Sequence, residues 1–360
     1  MTGKSACFIN SMRVFGGAEV WLLDAAAGLR ERGWDISLVA QPDSPLLARA
    51  RAAGLPADPV AIRCDGAPWT VAKLVAVLRR RRPGALLCNL TKDLKAAGLA
   101  GTICRVPVRL ACRESDFPLK DKFYYRWYFT RAATGVVANS AATRATVLAS
   151  APWLAPSRVH LLYKGIDTAR FRPGGPPPGP PVVGFAGQLI TRKGLPDLLA
   201  AWRDLEASEA SGGACLRLAG DGPLRGEVAR WREGLRHPER VEALGFVEDM
   251  PSFYYGLSLL VLPSRAEGFG LVAAEAGACG LPVIAARASS LPEIVVDGQT
   301  GLLVPPGDVG ALAGAITRLL QDPALARRLG DNARARVSHR FSRESMLGGL
   351  ERLLAKEADA

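Results

Sequence analysis

The sequence predicts an α/β protein built from two Rossmann-like, doubly wound domains, and three observations carry that prediction. Short apolar runs alternate with amphipathic segments along nearly the whole chain, and strand–helix alternation gives a parallel sheet covered on both faces. The alternation breaks once, at Gly174-Gly175-Pro176-Pro177-Pro178-Gly179-Pro180-Pro181, a stretch too poor in backbone donors and side chains for helix or strand. The length, 360 residues, is long for one core and sufficient for two.

In order, Ala6-Cys7-Phe8-Ile9-Asn10 reads as the first strand, and Gly16-Gly17 ends a loop before a helix over 18–32 that Gly33 closes. Strands follow at 34–40, 58–62, 85–88, 108–112, 135–138 and 158–162, with helices near 44–53, 70–81, 92–101, 121–132 and 141–149 between them. A second series has strands at 182–186, 215–219, 241–245, 259–262 and 282–286. Its helices fall at 195–207, 224–235, 250–256 and 271–279, then near 308–321, 323–338 and 342–356, after a turn at Asp297-Gly298-Gln299-Thr300-Gly301. The expected organisation is an N-terminal domain over 1–173, a linker over 174–181, a C-terminal domain over 182–340, and a last segment, 341–360, whose helix packs back on the first domain. Two such halves leave a cleft where two substrates can meet.

Composition narrows the class. No apolar run approaches the roughly 18 residues of a spanning helix, and Met1-Thr2-Gly3-Lys4 leads straight into a strand without a signal-peptide core. The seven cysteines are scattered without Cys-x-x-Cys pairs, as reduced, packed thiols are, so a cytoplasmic protein is expected. With three histidines and no ligand spacing, no metal centre is expected. The net charge of +12 is uneven: 26 Lys/Arg face 12 Asp/Glu through Pro173, against 20 and 22 in the remainder. A basic first half fits an anionic partner. The stretch 120–131 interleaves six aromatics with basic residues, the pattern of a helix on an anionic membrane surface; an aromatic core stripe is the alternative.

The chemistry concentrates in the second half. Leu259-Leu260-Val261-Leu262-Pro263 leads into Ser264-Arg265-Ala266-Glu267-Gly268-Phe269-Gly270-Leu271, and the helix that follows carries Glu275. This is strand, glycine turn, helix: the first helical N–H groups suit an anion, and two carboxylates flank whatever the turn holds. Gly187-Gln188-Leu189-Ile190-Thr191-Arg192-Lys193-Gly194 follows the strand 182–186. Arg192 and Lys193 there suit a diphosphate, one as a fork and one as a point charge. Gly16-Gly17 at a helix start allows close backbone approach and phosphate binding.

Glu267, Gly268, Phe269, Gly270 and Glu275, followed by Gly280-Leu281-Pro282, resemble the Glu-x7-Glu signature of retaining glycosyltransferases of family 4, which have the GT-B fold. The resemblance extends over nearly the whole chain and is most specific over 182–306. It implies that Arg192 and Lys193 neutralise a donor pyrophosphate, and that Gly16, Gly17 and Gly187 approach the donor. It further implies that the Phe246 segment faces a nucleobase, that Glu275 holds the nucleoside, and that Glu267 orients the sugar. Gln188 stands where Arg is usual, Lys164 where Asn precedes Gly165-Ile166-Asp167, and no His follows the strand 108–112, leaving Arg113 or Glu114 on the acceptor side. Asn139-Ser140 and Phe341-Ser342 match the family's structural punctuation.

The expected function is metal-independent, retaining transfer of a sugar from a nucleotide-diphosphate sugar, with UDP taken as the nucleotide and no cofactor. The acceptor is expected to be a glycan or lipid-linked molecule of cell-envelope polysaccharide or lipopolysaccharide assembly. The alternatives are a nucleotide-sugar hydrolase or epimerase and a noncatalytic scaffold. Nucleic acid is not expected as a partner, since charge speaks for it and no binding module does.

Overall fold

The computed structural model describes residues 4–62, 67–175 and 179–356. Cys64, the centre of the Gly/Pro stretch (176–178) and the tail 357–360 lie outside the described residues. The chain divides into two compact units, Met1–Gly165 with Glu344–Ala360, and Ile166–Arg343.

The first unit is built on a seven-stranded sheet in the order β3-β2-β1-β4-β5-β6-β7. Its strands are β1 (Ser5–Asn10), β2 (Asp35–Ala40), β3 (Ala57–Pro59), β4 (Ala85–Cys88), β5 (Val108–Arg113), β6 (Gly135–Ala138) and β7 (Val159–Leu161), all paired in parallel. The apolar runs that predict these strands are buried on both sides, as parallel strands require. β3 is shorter than the sequence predicts. It lies at the sheet edge and stops at Pro59, which has no N–H to extend the ladder.

The helices predicted near 92–101 and 121–132 are not plain α-helices. Each contains a π-helical segment, Leu94–Gly98 and Tyr128–Ala132. The two segments pack together so closely that a Cβ on Gly98 would lie 3.2 Å from that of Ala132. Two arginines satisfy carbonyls at the end of the second helix. Arg109 donates to Ala132 (2.8 Å) and Arg131 (3.3 Å), and Arg158 to Thr130 (3.2 Å) and Thr134 (2.9 Å).

The second unit has a six-stranded sheet, ordered β10-β9-β8-β11-β12-β13. Its strands, again all parallel, are β8 (Val182–Ala186), β9 (Cys215–Ala219), β10 (Val241–Gly245), β11 (Leu259–Leu262), β12 (Val283–Ala286) and β13 (Gly301–Val304). Within this unit Ile166 bridges to Ser342, so the segments Ile166-Asp167 and Phe341-Ser342 meet.

The last helix, Arg343–Lys356, belongs to the first unit from Glu344 onward. Met346, Leu347, Leu350 and Leu354 share a core with Leu22, Leu29 and Trp34. Glu351 fastens it: one oxygen accepts from the Trp34 indole (2.9 Å), the other from Arg32 (2.5 Å). These partners, the Trp34 hydrogen bond first and the Arg32 pair after it, hold the Glu351 carboxyl below its ordinary range. A depressed carboxyl pKa contributes stability above the unfolded value and loses it as pH falls through the folded one. Glu351→Gln is therefore expected to lower the unfolding midpoint at about pH 7, and the gap to wild type should close toward about pH 3, read by thermal unfolding across that range.

Candidate active site

The second sheet reverses direction of growth between β8 and β11, which are neighbours although two strands, β9 and β10, separate them in sequence. Loops leaving the carboxyl ends of two such strands diverge and open a crevice. The two loops here are 187–194 and 263–270, the two predicted to carry chemistry.

The first of them is fixed by backbone contacts that need glycine. Gly194 has φ +68°, and a Cβ there would sit 2.0 Å from the Pro263 carbonyl oxygen. A Cβ on Gly220, φ +139°, would sit 1.8 Å from that of Gly187. Gly187 N–H donates to Ala219 (2.9 Å) and Gly220 N–H to Gly245 (2.7 Å), so the ends of β8, β9 and β10 are stitched into one rim. Phe246 follows directly on that rim and is 66% exposed, free to meet a flat ring.

Between these points Thr191–Lys193 forms a 3-10 turn carrying both predicted cations. Arg192 donates to the Ala266 carbonyl (3.0 Å), and its own carbonyl accepts from Arg265 N–H (2.9 Å). Lys193 Nζ lies 2.5 Å from Glu267 Oε1, with both side chains largely buried. Arg192, Lys193 and Glu267 are thus brought together across 74 positions of sequence. Two further pairs hold this arrangement and went unread in the sequence. Asp197, in the first turn of the helix Leu195–Ala207, binds Arg265 (3.0 Å). Buried Ser290 donates to the Phe269 carbonyl (2.8 Å), with the Glu267 carbonyl 3.1 Å away.

Gly270 caps the helix Leu271–Ala278 in the left-handed conformation, and its carbonyl accepts from Ala273 and Ala274 N–H. The amides of Leu271 and Val272 precede the first intrahelical bond and, with the helix dipole, suit an anion. Phe269 turns its ring inward against Phe341 (5.6 Å between centroids), so only its backbone can serve the turn. Glu275 lies one turn into the helix and accepts from the Tyr254 hydroxyl (2.8 Å). Burial pushes the Glu275 carboxyl up to about 7, against the opposing pull of that hydrogen bond and of Arg170.

In the first unit Gly16 and Gly17 open the helix Gly17–Glu31. The sequence assigns this helix start to phosphate. In the structure Glu19 reaches back to accept from Gly16 N–H (3.0 Å) and from the Asn10 amide (2.8 Å), so a carboxylate of the chain already caps it. Gly16 is extended at φ −143°, and a Cβ would meet Glu19 at 3.5 Å, so the fold itself does not demand glycine there. Arg113 is buried, donating to Thr91 (2.9 Å) and the Phe117 carbonyl (2.5 Å). Glu114, beside it, is ion-paired with Lys164.

The stitched loop gives a direct test. Gly194→Ala combines positive φ with overlap against a backbone oxygen, so it is expected to cost more than about 2 kcal/mol, read by denaturant unfolding. Gly16→Ala should leave stability within about 0.5 kcal/mol of wild type.

Comparison with known proteins adds the family. Residues 15–170 match the model of "Glycosyltransferase Family 4" and residues 167–336 that of "Glycosyl transferases group 1". An uncharacterized glycosyltransferase of Methanocaldococcus jannaschii is 34% identical over 177 residues, 49% of this chain and 48% of that protein. Glycogen synthase of Mycobacterium tuberculosis is 35% identical over 190 residues, 51% of this chain and 45% of that protein. The chain spans about half the length of these curated relatives. The crystal structure of Anabaena Alr3699/HepE in complex with UDP-glucose superposes with a TM-score of 0.83 at 24% identity, covering 98% of this chain and 99% of that one. Two parallel-sheet Rossmann-like units, the paired family matches and this likeness in fold lead to one assignment: the chain belongs to the family 4 glycosyltransferases of the GT-B fold.

Proposed function

We propose that the protein is a retaining glycosyltransferase that moves a sugar from a nucleotide-diphosphate sugar to a glycan or lipid-linked acceptor. The observation that carries this reading is the meeting of Arg192, Lys193 and Glu267 where the second sheet reverses its growth. The Anabaena neighbour holds UDP-glucose, which supports UDP as the donor nucleotide.

Breaking the glycosidic bond leaves negative charge on the diphosphate and positive charge on the sugar. Arg192, Lys193 and the amides at Leu271 and Val272 meet the first, in a loop already braced before substrate arrives, so they favour the transition state over the ground state. They supply the charge a divalent cation supplies elsewhere, and turnover should survive chelation. Glu267, held by Lys193, accepts from sugar hydroxyls. Glu275 and exposed Phe246 take the nucleoside, the first through ribose hydroxyls and the second against the base. The departing diphosphate oxygen takes the acceptor's proton on the face it leaves, so the anomeric configuration is retained.

The acceptor side belongs to the basic first unit, and an anionic membrane surface fits its helix at 123–132. Phe123 is 84% exposed, Trp127 43%, and Lys120, Lys122 and Arg131 are also exposed, while Phe129 packs inward. This supports interfacial docking over a core stripe for the outward residues. Among the described residues no helix is long and apolar enough to cross a membrane. A peripheral enzyme of envelope glycan assembly, on the cytoplasmic face, is the setting this favours.

Two measurements test the reading. In a thermal-shift screen against UDP, GDP, ADP, CDP and their sugars, one nucleotide class should stabilise the protein. Arg192→Ala should abolish the shift, and Glu267→Gln should lower kcat/KM by more than about tenfold. No shift from any nucleotide, with the protein folded, would favour the scaffold instead. Separately, Phe123→Ala/Trp127→Ala should release the protein from phosphatidylserine vesicles in a sedimentation assay. Equal sedimentation of variant and wild type would count against the docking helix.

A further inference from the structure

Two consecutive tyrosines on the helix Met250–Tyr255 reach the groups that decide the charge on Glu275. The Tyr254 hydroxyl donates to Glu275 Oε2 (2.8 Å), with the Val272 carbonyl 3.5 Å away. The Tyr255 hydroxyl donates to the Arg170 carbonyl (3.3 Å), and Arg170 is the cation that acts on Glu275 from outside its helix. Tyr254 is fully buried, its ring against Phe253 (5.6 Å between centroids) and Phe171 (6.1 Å), so the position of its hydroxyl is set by packing. Gly174 makes room for Tyr255, since a Cβ there would lie 2.4 Å from the ring.

The carboxyl sits in surroundings that oppose its charge. A carboxylate accepts from two ribose hydroxyls, whereas the protonated acid turns one oxygen into a donor. Burial lifts the Glu275 carboxyl to about 7, and the Tyr254 hydrogen bond, then Arg170, pull the other way. Cys279, one turn further along the helix, stays a neutral thiol, pushed up to about 12 by burial and by Glu275, with Arg334 of the helix Pro323–Arg340 opposing. Tyr254 is itself raised well above its ordinary range by burial and by the Glu275 charge, so near neutral pH it is always a donor. Among the described residues it engages only Oε2, and Glu275 is partly exposed, which leaves Oε1 for a ligand.

We propose that Tyr254 is a positioning residue for nucleoside recognition: its hydroxyl fixes one oxygen of Glu275 and favours the charged carboxylate, which then accepts from the ribose hydroxyls. The inference rests on the nucleotide-sugar reading, in which Glu275 takes the ribose. It makes donor affinity depend on pH near neutrality, and makes that dependence a property of a residue that does not itself touch the ligand.

The test is the dissociation constant of UDP-glucose, or of whichever of GDP-, ADP- and CDP-glucose binds in its place. Calorimetry gives it for wild type, Tyr254→Phe and Glu275→Gln between about pH 6.5 and about pH 8.5, with unfolding midpoints alongside. The diphosphate of these ligands is esterified at both ends and does not titrate in this range. Wild-type affinity should fall as pH drops through about 7, by up to about tenfold per pH unit. Removing the hydroxyl withdraws a donor from the charged form, raises the carboxyl further and moves the curve to higher pH. Tyr254→Phe should therefore bind at least about fivefold more weakly at about pH 6.5, with the gap narrowing toward about pH 8.5. Other titrating groups are common to both proteins and cancel in the ratio. A deficit equal at every pH would leave the hydroxyl a packing role and overturn the inference, as would equal affinities throughout. Should Tyr254→Phe not fold, Glu275→Gln decides, because it cannot ionise: its dissociation constant relative to wild type should rise with pH. A constant ratio there leaves Tyr254 nothing to act through and overturns the inference equally. Wild-type protein that binds none of the four nucleotide sugars would refute the underlying reading and this inference together, a result distinct from a binding protein indifferent to the Tyr254 hydroxyl.

Discussion

Everything at the candidate site of the second unit depends on backbone lying directly against backbone where the strands end. The loop after β8 touches the loop after β9 at Gly220 and the end of the β11 run at Gly194, with no room for a side-chain carbon at either point. The same contacts satisfy strand-end amides, Gly187 through Ala219, Leu189 through Asp221 and Gly220 through Gly245, so close approach and hydrogen-bond satisfaction are one requirement. A short turn held this way would not need to reorganise around the diphosphate proposed as its ligand. The positions of Arg192 and Lys193 are set by the fold rather than by the ligand, which is the condition under which fixed charge is worth most in a transition state.

The two units solve the helix-start problem differently. In the first, Glu19 turns back on Gly16 and Asn10, so negative charge is built into the helix N-terminus. In the second, Gly270 caps its helix with no side-chain bond, and Glu267, three residues before it, is ion-paired with Lys193. An anion is therefore better received in the second unit than in the first.

Most of the architecture was legible because parallel strands buried on both faces write themselves as apolar runs, and glycine or proline marks their ends. The strands 182–186, 215–219 and 241–245 coincide with β8, β9 and β10 for that reason. What could not be read was whatever depends on partners distant in sequence. Nothing near Asp197 announces Arg265, nothing near Ser290 announces the carbonyls of Glu267 and Phe269, and Lys164 looked like a lone substitution until Glu114 was beside it. The π-helical segments were missed for a related cause. They arise from helix-on-helix packing at Gly98 and Ala132, which no local pattern encodes. Phe269 shows the converse error of scale: the motif was read correctly as a turn, yet its most conspicuous side chain serves the core against Phe341.

Charge counted along a sequence also overstates charge offered to a partner. The first half has many more basic than acidic residues, but several are consumed inside the unit. Arg109 and Arg158 bind helix-end and strand-end carbonyls, buried Arg113 donates to the Phe117 carbonyl, Arg80 and Arg81 share Asp58, and Arg32 is tied to the last helix. Even within 120–131, Arg126 is held in a two-pronged pair by Asp121. Lys120, Lys122 and Arg131 remain exposed around Phe123 and Trp127. Arg109 and Arg158 anchor the end of that helix to the sheet side, where Phe129 is buried, while Phe123 and Trp127 are exposed. The relevant asymmetry is thus a local conjunction of a few exposed cations with exposed rings, a pattern suited to an anionic interface rich in hydrocarbon rather than to a polyanion alone.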